Sequence, residues 1–140
     1  MQTNDHQIRD YDIVLDAEFG KTGTPERARA IEEAYAAGQR AFGESRVQEL
    51  QQKYEALPKD IEWVMIGHLQ TNKVKYIAGR AGLIHSVDSV RLAEEIDKKC
   101  AKLGVRQGIL VEINIGMEES KTGIAPSEFE RFMEEISVFP

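Results

Sequence analysis

The sequence predicts an α/β protein, a partial (β/α) TIM-barrel-like parallel sheet of about five strands with covering helices, with an open flavodoxin-like sheet as the alternative. Strand-like apolar runs begin near residues 13, 40, 62, 83 and 108, about 21 to 27 residues apart, which is the length of a strand plus a returning helix. The runs are apolar on both faces, as strands of a covered parallel sheet are. Polar words follow the runs, and in either architecture the C-terminal edge of the sheet gathers them.

Residues 1–12 are polar and aperiodic, a leader before one (β/α) repeat domain over 13–140. Ile13 to Ala17 is the first candidate strand, followed by the turn Gly20-Lys21-Thr22-Gly23. Thr24 and Pro25 then open a helix striped by Ala28, Ile31 and Tyr35 and closed by Gly38. Arg40 to Gly43 is a very short strand. Ser45 and Gln48 stand at capping-box spacing at the head of a helix that Pro58 stops. Glu62 to Ile66 is the third strand, and Val74 to Ala78 makes a short helix before Gly79. Leu83 to Val87 is the fourth. Asp88 or Ser89 caps the next helix, whose buried stripe is Leu92, Ala93, Ile96, Cys100 and Leu103, with Gly104 beyond it. Gly108 to Ile115 is the longest and most apolar strand, and Pro126 opens a last helix with Phe129, Phe132, Met133 and Ile136 on one face.

Length and charge narrow the function classes. The 140 residues suffice for one domain with a real core. A net charge of −6 without a basic cluster argues against a nucleic-acid or anionic-membrane surface. No apolar stretch approaches the roughly eighteen residues of a membrane span. Cys100 is the only cysteine, so an internal disulfide and a multi-cysteine zinc site are excluded, and a buried thiol in a reducing cytoplasm is expected.

The polar words supply the candidate site. Lys21 follows the first strand; at the end of a buried strand such an amine can lose water and serve as a Schiff-base lysine. Asp16 and Glu18 share one face of that strand, but no third ligand is placed for a metal. Glu44-Ser45 follows the second strand, His68 to Lys73 the third and Ser86-Val87-Asp88 the fourth. Singly, Ser45 and Asp88 read as helix caps and His68 as a satisfied loop histidine. Alternation with Val111, Ile113 and Ile115 puts Glu112 and Asn114 on one face of the fifth strand, where buried polar groups need partners.

Taken together, the words resemble a known family. Ala37-Gly38-Gln39-Arg40, Phe42 to Glu49, Trp63 to Lys73, His85 to Ser89 and Glu118 to Ile124 are similar, in order and spacing over roughly residues 35 to 137, to the pyridoxal-phosphate homeostasis proteins of the YggS/PROSC group. The resemblance implies a barrel of the alanine-racemase N-terminal type holding pyridoxal 5'-phosphate (PLP) on a lysine, with no turnover of its own. It assigns the imine to Lys21, in Phe19-Gly20-Lys21-Thr22 where the family has Val-Ser-Lys-Thr and about three residues further from Ala37. Ser45, where the family usually has asparagine, would line the pocket with His68, Asn72, Ser86 and Asn114. Family members run on for about as long again, through three more strands and the backbone cradle for the cofactor phosphate. A truncated version of the fold is therefore expected, with its sheet edges covered by a second copy or opened into a flavodoxin-like sheet.

Three functions follow in order. The first is a non-catalytic PLP-binding homeostasis protein, or a fragment of one. The second is a truncated or engineered scaffold of that family without cofactor binding. The third is a PLP-dependent, racemase-like enzyme, which needs a second base that this chain does not place.

Overall fold

The structure is a computed structural model that describes residues 23–140. The first candidate strand, Asp16, Glu18 and Lys21 lie outside the described residues. The chain divides into two compact units, Met1–Gln39 and Arg40–Pro140.

In the first unit, helix α1 spans Pro25–Ala36. Pro25 takes a first-turn position that has no intrahelical partner for an N–H in any case. Gly38 leaves the helix at φ 104°, a conformation glycine adopts without steric cost.

The second unit carries four parallel strands, β1 (Ala41–Glu44), β2 (Glu62–Met65), β3 (Ala81–Val87) and β4 (Gly108–Val111), in the order β1-β2-β3-β4. Each strand pairs with the next in sequence. A flavodoxin-like sheet reverses direction at a switch point, so the unbroken order is that of a barrel segment. Helices α2 (Val47–Ala56), α3 (Val74–Ile77), α4 (Val90–Leu103) and α5 (Phe129–Ile136) connect and cover the strands.

The core lies between these helices and one face of the sheet. Trp63, Met65, Ile84 and Val87 from the strands meet Leu50, Val74, Ile77, Leu92, Ile96 and Phe132 from the helices, all buried. Each large apolar side chain removed from water contributes about 1.5–3 kcal/mol before the entropy of ordering it. On the opposite face Ile66 and Leu110 are each 48% exposed. Gly43, Val64 and Leu83, which are in register with one another, lie on that face too.

Helix α4 follows the sequence closely. Ser89, not Asp88, is its N-cap and accepts from the Leu92 N–H at 3.2 Å, and Gly104 closes it at φ 66°. Leu92, Ala93, Ile96 and Cys100 are buried, but Leu103 in the last turn is 57% exposed. Burial, and secondarily the Asp97 carboxylate, pushes the Cys100 thiol above its ordinary pKa.

Three expected elements differ. Strand β3 starts two residues early, at Ala81 rather than Leu83. Helix α2 starts one residue late, at Val47 with Arg46 as N-cap, so the Ser45–Gln48 capping box does not form. Strand β4 ends at Val111 instead of continuing to Ile115. Beyond it the chain turns at Met117, a non-glycine residue at φ 51°, and residues 122–124 return alongside 112–114. The Asn114 N–H donates to Ile124 O at 2.8 Å and the Ile124 N–H to Glu112 O at 2.9 Å. Gly123 makes this return possible: its φ is 104°, and a Cβ there would sit 2.7 Å from the Asn114 nitrogen.

Gly123→Ala should therefore destabilise the fold by about 2 kcal/mol or more, combining left-handed strain with a backbone clash; chemical denaturation at unchanged m-value measures it. Cys100 should react with an alkylating reagent at pH 8 far more slowly in the folded chain than in urea, because the thiolate is both buried and disfavoured. The linkage has a sign. The unfolded thiol ionises first, so the contribution of Cys100 to stability is intact at neutral pH and is lost as pH rises beyond the ordinary thiol range; pH-dependent unfolding of the protein and its Cys100→Ala variant measures the difference.

Candidate functional site

The C-terminal ends of β1, β2 and β3 deliver the polar words to one edge. At β1 the side chains divide. Glu44 is in register with the buried Met65 and sits under α2, where it forms an ion pair with Lys53. Ser45 is the next residue and is exposed. Because Arg46 occupies the N-cap position, the Ser45 hydroxyl is not committed to capping.

The turn after β2 is packed directly on the turn after β1. The Ile66 N–H donates to Glu44 O at 3.0 Å, and a Cβ added to Gly67 would fall 2.1 Å from Ser45 O. Glycine at 67 is thus required by close backbone approach. His68 follows at this rim with its side chain 52% exposed, and its Nδ1 lies 3.8 Å from Asp88 Oδ2 on the turn after β3. That spacing exceeds a hydrogen bond and is an ion pair when the imidazole is protonated. Asn72 sits exposed in the 3-10 turn Thr71–Lys73 that leads into α3.

Ser86 is different in kind. It is 3% exposed, yet among the described residues its hydroxyl has no hydrogen-bond partner. A buried hydroxyl left unpaired costs about 1–3 kcal/mol, so such groups call for an explanation such as an absent ligand or water. Ser86 lies where β3 carries an extra residue relative to β4, between Ile84 and Val87. Such bulges recur beside sites, where they re-aim side chains.

Beyond β4, Glu112 Oε1 accepts from the Thr122 hydroxyl at 2.9 Å while Oε2 is buried without a partner among the described residues. Asn114 is engaged locally. Its Nδ2 donates to Glu118 O at 2.8 Å, and its Oδ1 accepts from the Glu118 N–H at 3.3 Å, closing the loop from 114 to 118. The expected shared strand face of Glu112 and Asn114 is replaced by this folded-back loop, because β4 has already ended.

The structure thus brings Ser45 and Gly67 together and pairs His68 with Asp88, which read alone as a helix cap. Ser86 stands in the same β3 end, Asn72 lies one turn beyond His68, and Asn114 builds a loop. The Glu44–Lys53 pair joins a strand to a helix nine residues on, a separation no local pairing rule flags. A cavity of about 260 Å³ between α4, β4 and α5 is lined by Ile96, Cys100, Arg106 and Phe139 among others, and by none of the candidate site residues.

Comparison with known proteins gives these features a context. The family model for the alanine racemase N-terminal domain matches residues 23–140. A pyridoxal phosphate homeostasis protein of Aquifex aeolicus is 48% identical over 115 residues, covering 81% of this chain and 49% of the relative. One from Helicobacter pylori is 41% identical over 127 residues, covering 89% and 56%. PipY of Synechococcus elongatus superposes with a TM-score of 0.72 without PLP, at 38% identity over 81% of this chain and 54% of PipY. Its PLP-bound structure gives 0.70 at 37% identity, over 81% and 53%. The chain spans about half the length of the curated relatives it matches. The matched span contains all four strands and every described site residue, and on that match the chain belongs to the family of the alanine racemase N-terminal domain.

Proposed function

We propose that this chain binds PLP at the C-terminal edge of its sheet and acts as a cofactor carrier with no turnover of its own. The observation that carries the reading is the buried Ser86 hydroxyl without a partner, placed by a β-bulge at the end of β3. The PLP-bound structure of PipY, 37% identical over 81% of this chain, supports the choice of ligand. PLP brings an aldehyde that a lysine amine can hold as an imine and a phosphate that needs several donors.

Lys21 is the lysine assigned by the resemblance, and it lies outside the described residues. Ser45 and Asn72 offer exposed donors at the rim, and Ser86 a buried one. His68, held near Asp88, offers its Nε2. Asn114 contributes by shaping the loop beside them, since its own amide is already bonded to Glu118. A carrier needs binding groups but no second base. Among the described residues the edge offers His68 beside Asp88 and, past β4, the Glu112 carboxylate bonded to the Thr122 hydroxyl, groups that can hold and release a ligand.

Mixing the protein with PLP, reducing with borohydride and mapping the modification by mass spectrometry should give one adduct, at Lys21. No adduct, or one on a different lysine, contradicts the reading. Ser86→Ala separates stability from binding. Removing an unpaired buried hydroxyl should raise the stability of the ligand-free protein by about 1 kcal/mol and weaken PLP binding about tenfold. A less stable variant with unchanged PLP affinity would show that the hydroxyl serves the fold alone.

A further inference from the structure

We infer that Lys53 is a positioning residue for the site rim: from helix α2 it grips Glu44, the last residue of β1, and so fixes the turn that carries Ser45. The inference rests on the reading that Ser45 meets the cofactor.

The turn lacks the device that usually sets the start of a helix. Arg46 at the N-cap makes no side-chain cap bond, and Ser45 makes none in its place. What joins the strand end to the helix is charge. Lys53 Nζ forms an ion pair with Glu44 Oε1 and lies 3.7 Å from Glu49 Oε2 one helical turn earlier on α2. The three side chains are 16%, 11% and 14% exposed, so solvent screens them little. Arg46, itself 76% exposed, reaches Glu49 Oε1 at 3.5 Å. Glu49 Oε2 has no hydrogen bond of its own among the described residues, so Lys53 is the cation that keeps two nearly buried carboxylates in one place. Without it, Glu44 and Glu49 repel across the junction of β1 and α2.

Two backbone contacts transmit that placement to the rim. Glu44 O accepts from the Ile66 N–H at 3.0 Å, and Ser45 O lies where a Gly67 Cβ would stand, 2.1 Å away. The clearance leaves no slack. A shift of Glu44 moves Ser45 and the Gly67-His68 turn together, so one ion pair on the helical side of the sheet sets two polar words on its C-terminal edge.

The test compares Lys53→Met, which keeps the apolar stem and removes the charge, with Lys53→Arg, which keeps the charge. Amide hydrogen exchange is read in the ligand-free full chain. In Lys53→Met the Ile66 amide should exchange about tenfold faster than in the unmodified protein while the Ile96 amide in α4 is unchanged, and Lys53→Arg should restore most of the protection. Equal acceleration at Ile66 and Ile96, or none at Ile66, overturns the inference, because it shows a general loss of stability or no role at all. Should Lys53→Met fail to fold, Glu44→Gln with Lys53→Met removes the pair without stranding the Glu44 charge, and the same comparison decides. In the PLP arm the dissociation constant should rise about tenfold, the scale on which supporting shells act. An unchanged constant beside faster Ile66 exchange overturns the link from Lys53 to the site. If the unmodified protein binds no PLP, the cofactor reading fails on its own, and the exchange comparison still decides the role of Lys53.

Discussion

Strand β3 is seven residues long between neighbours of four, and the two extra residues it carries decide where the site groups fall. Trp63 pairs with Ala81 and Val64 with Leu83, which leaves Gly82 over. Ile84 pairs with Ile109 and Val87 with Val111, which leaves a second residue over. The buried apolar residues of β3 are therefore Ala81, Ile84 and Val87, a period of three where a regular strand has two, and Ser86 is the buried polar residue among them. The helices demand that apolar set, and the bulges let a strand meet it. Ser86 and His85 occupy the second irregularity, and Asp88 follows it directly to meet His68 while Ser89 caps α4. Moving the register by one residue would expose Val87 and pull Asp88 away from the turn after β2.

Much of this architecture is legible in the sequence, for reasons that can be named. The strand starts near 40, 62, 83 and 108 are visible because strand and helix lengths repeat, and α4 because a cap, a predicted stripe that is buried except at Leu103, and a terminal glycine agree. At Ser45 and beyond Val111 the structure departs from the local pattern because a local rule meets a tertiary competitor. Ser45 and Gln48 fit the capping box, but the Glu44–Lys53 pair and the packing of Gly67 on Ser45 set the turn one residue further on. Alternation runs through Ile115, yet Gly123 lets Ile124 bond the Glu112 carbonyl and the Asn114 N–H, while the Glu112 N–H stays on Val87 O. A bulge is invisible to a period-two reading by construction. The resemblance points to Ser45, His68, Asn72, Ser86 and Asn114, and only the packed chain shows that Asn114 is engaged by Glu118 and that Asp88 stands beside His68.

The covered face of the sheet and its C-terminal edge are built differently. On the covered face, apolar contacts and the Lys53 cluster hold the strands and α2 in register. At the C-terminal edge, exposed or unpaired polar groups are left available, and one of them is a hydroxyl that the fold itself does not satisfy. A protein selected for stability alone would replace that hydroxyl with a methyl group. The proposed ligand would supply the partner that the fold does not.

The central claim, that PLP occupies the C-terminal edge, is tested most directly by a heteronuclear NMR titration of the full chain with PLP. The account predicts that the amide shifts move most at Ser45, Gly67, His68, Asn72 and Ser86, residues carried by the C-terminal ends of β1, β2 and β3 and the segments that follow them. Shifts confined to the cavity formed by Ile96, Cys100, Ile109 and Phe139, or an unchanged spectrum, would contradict it.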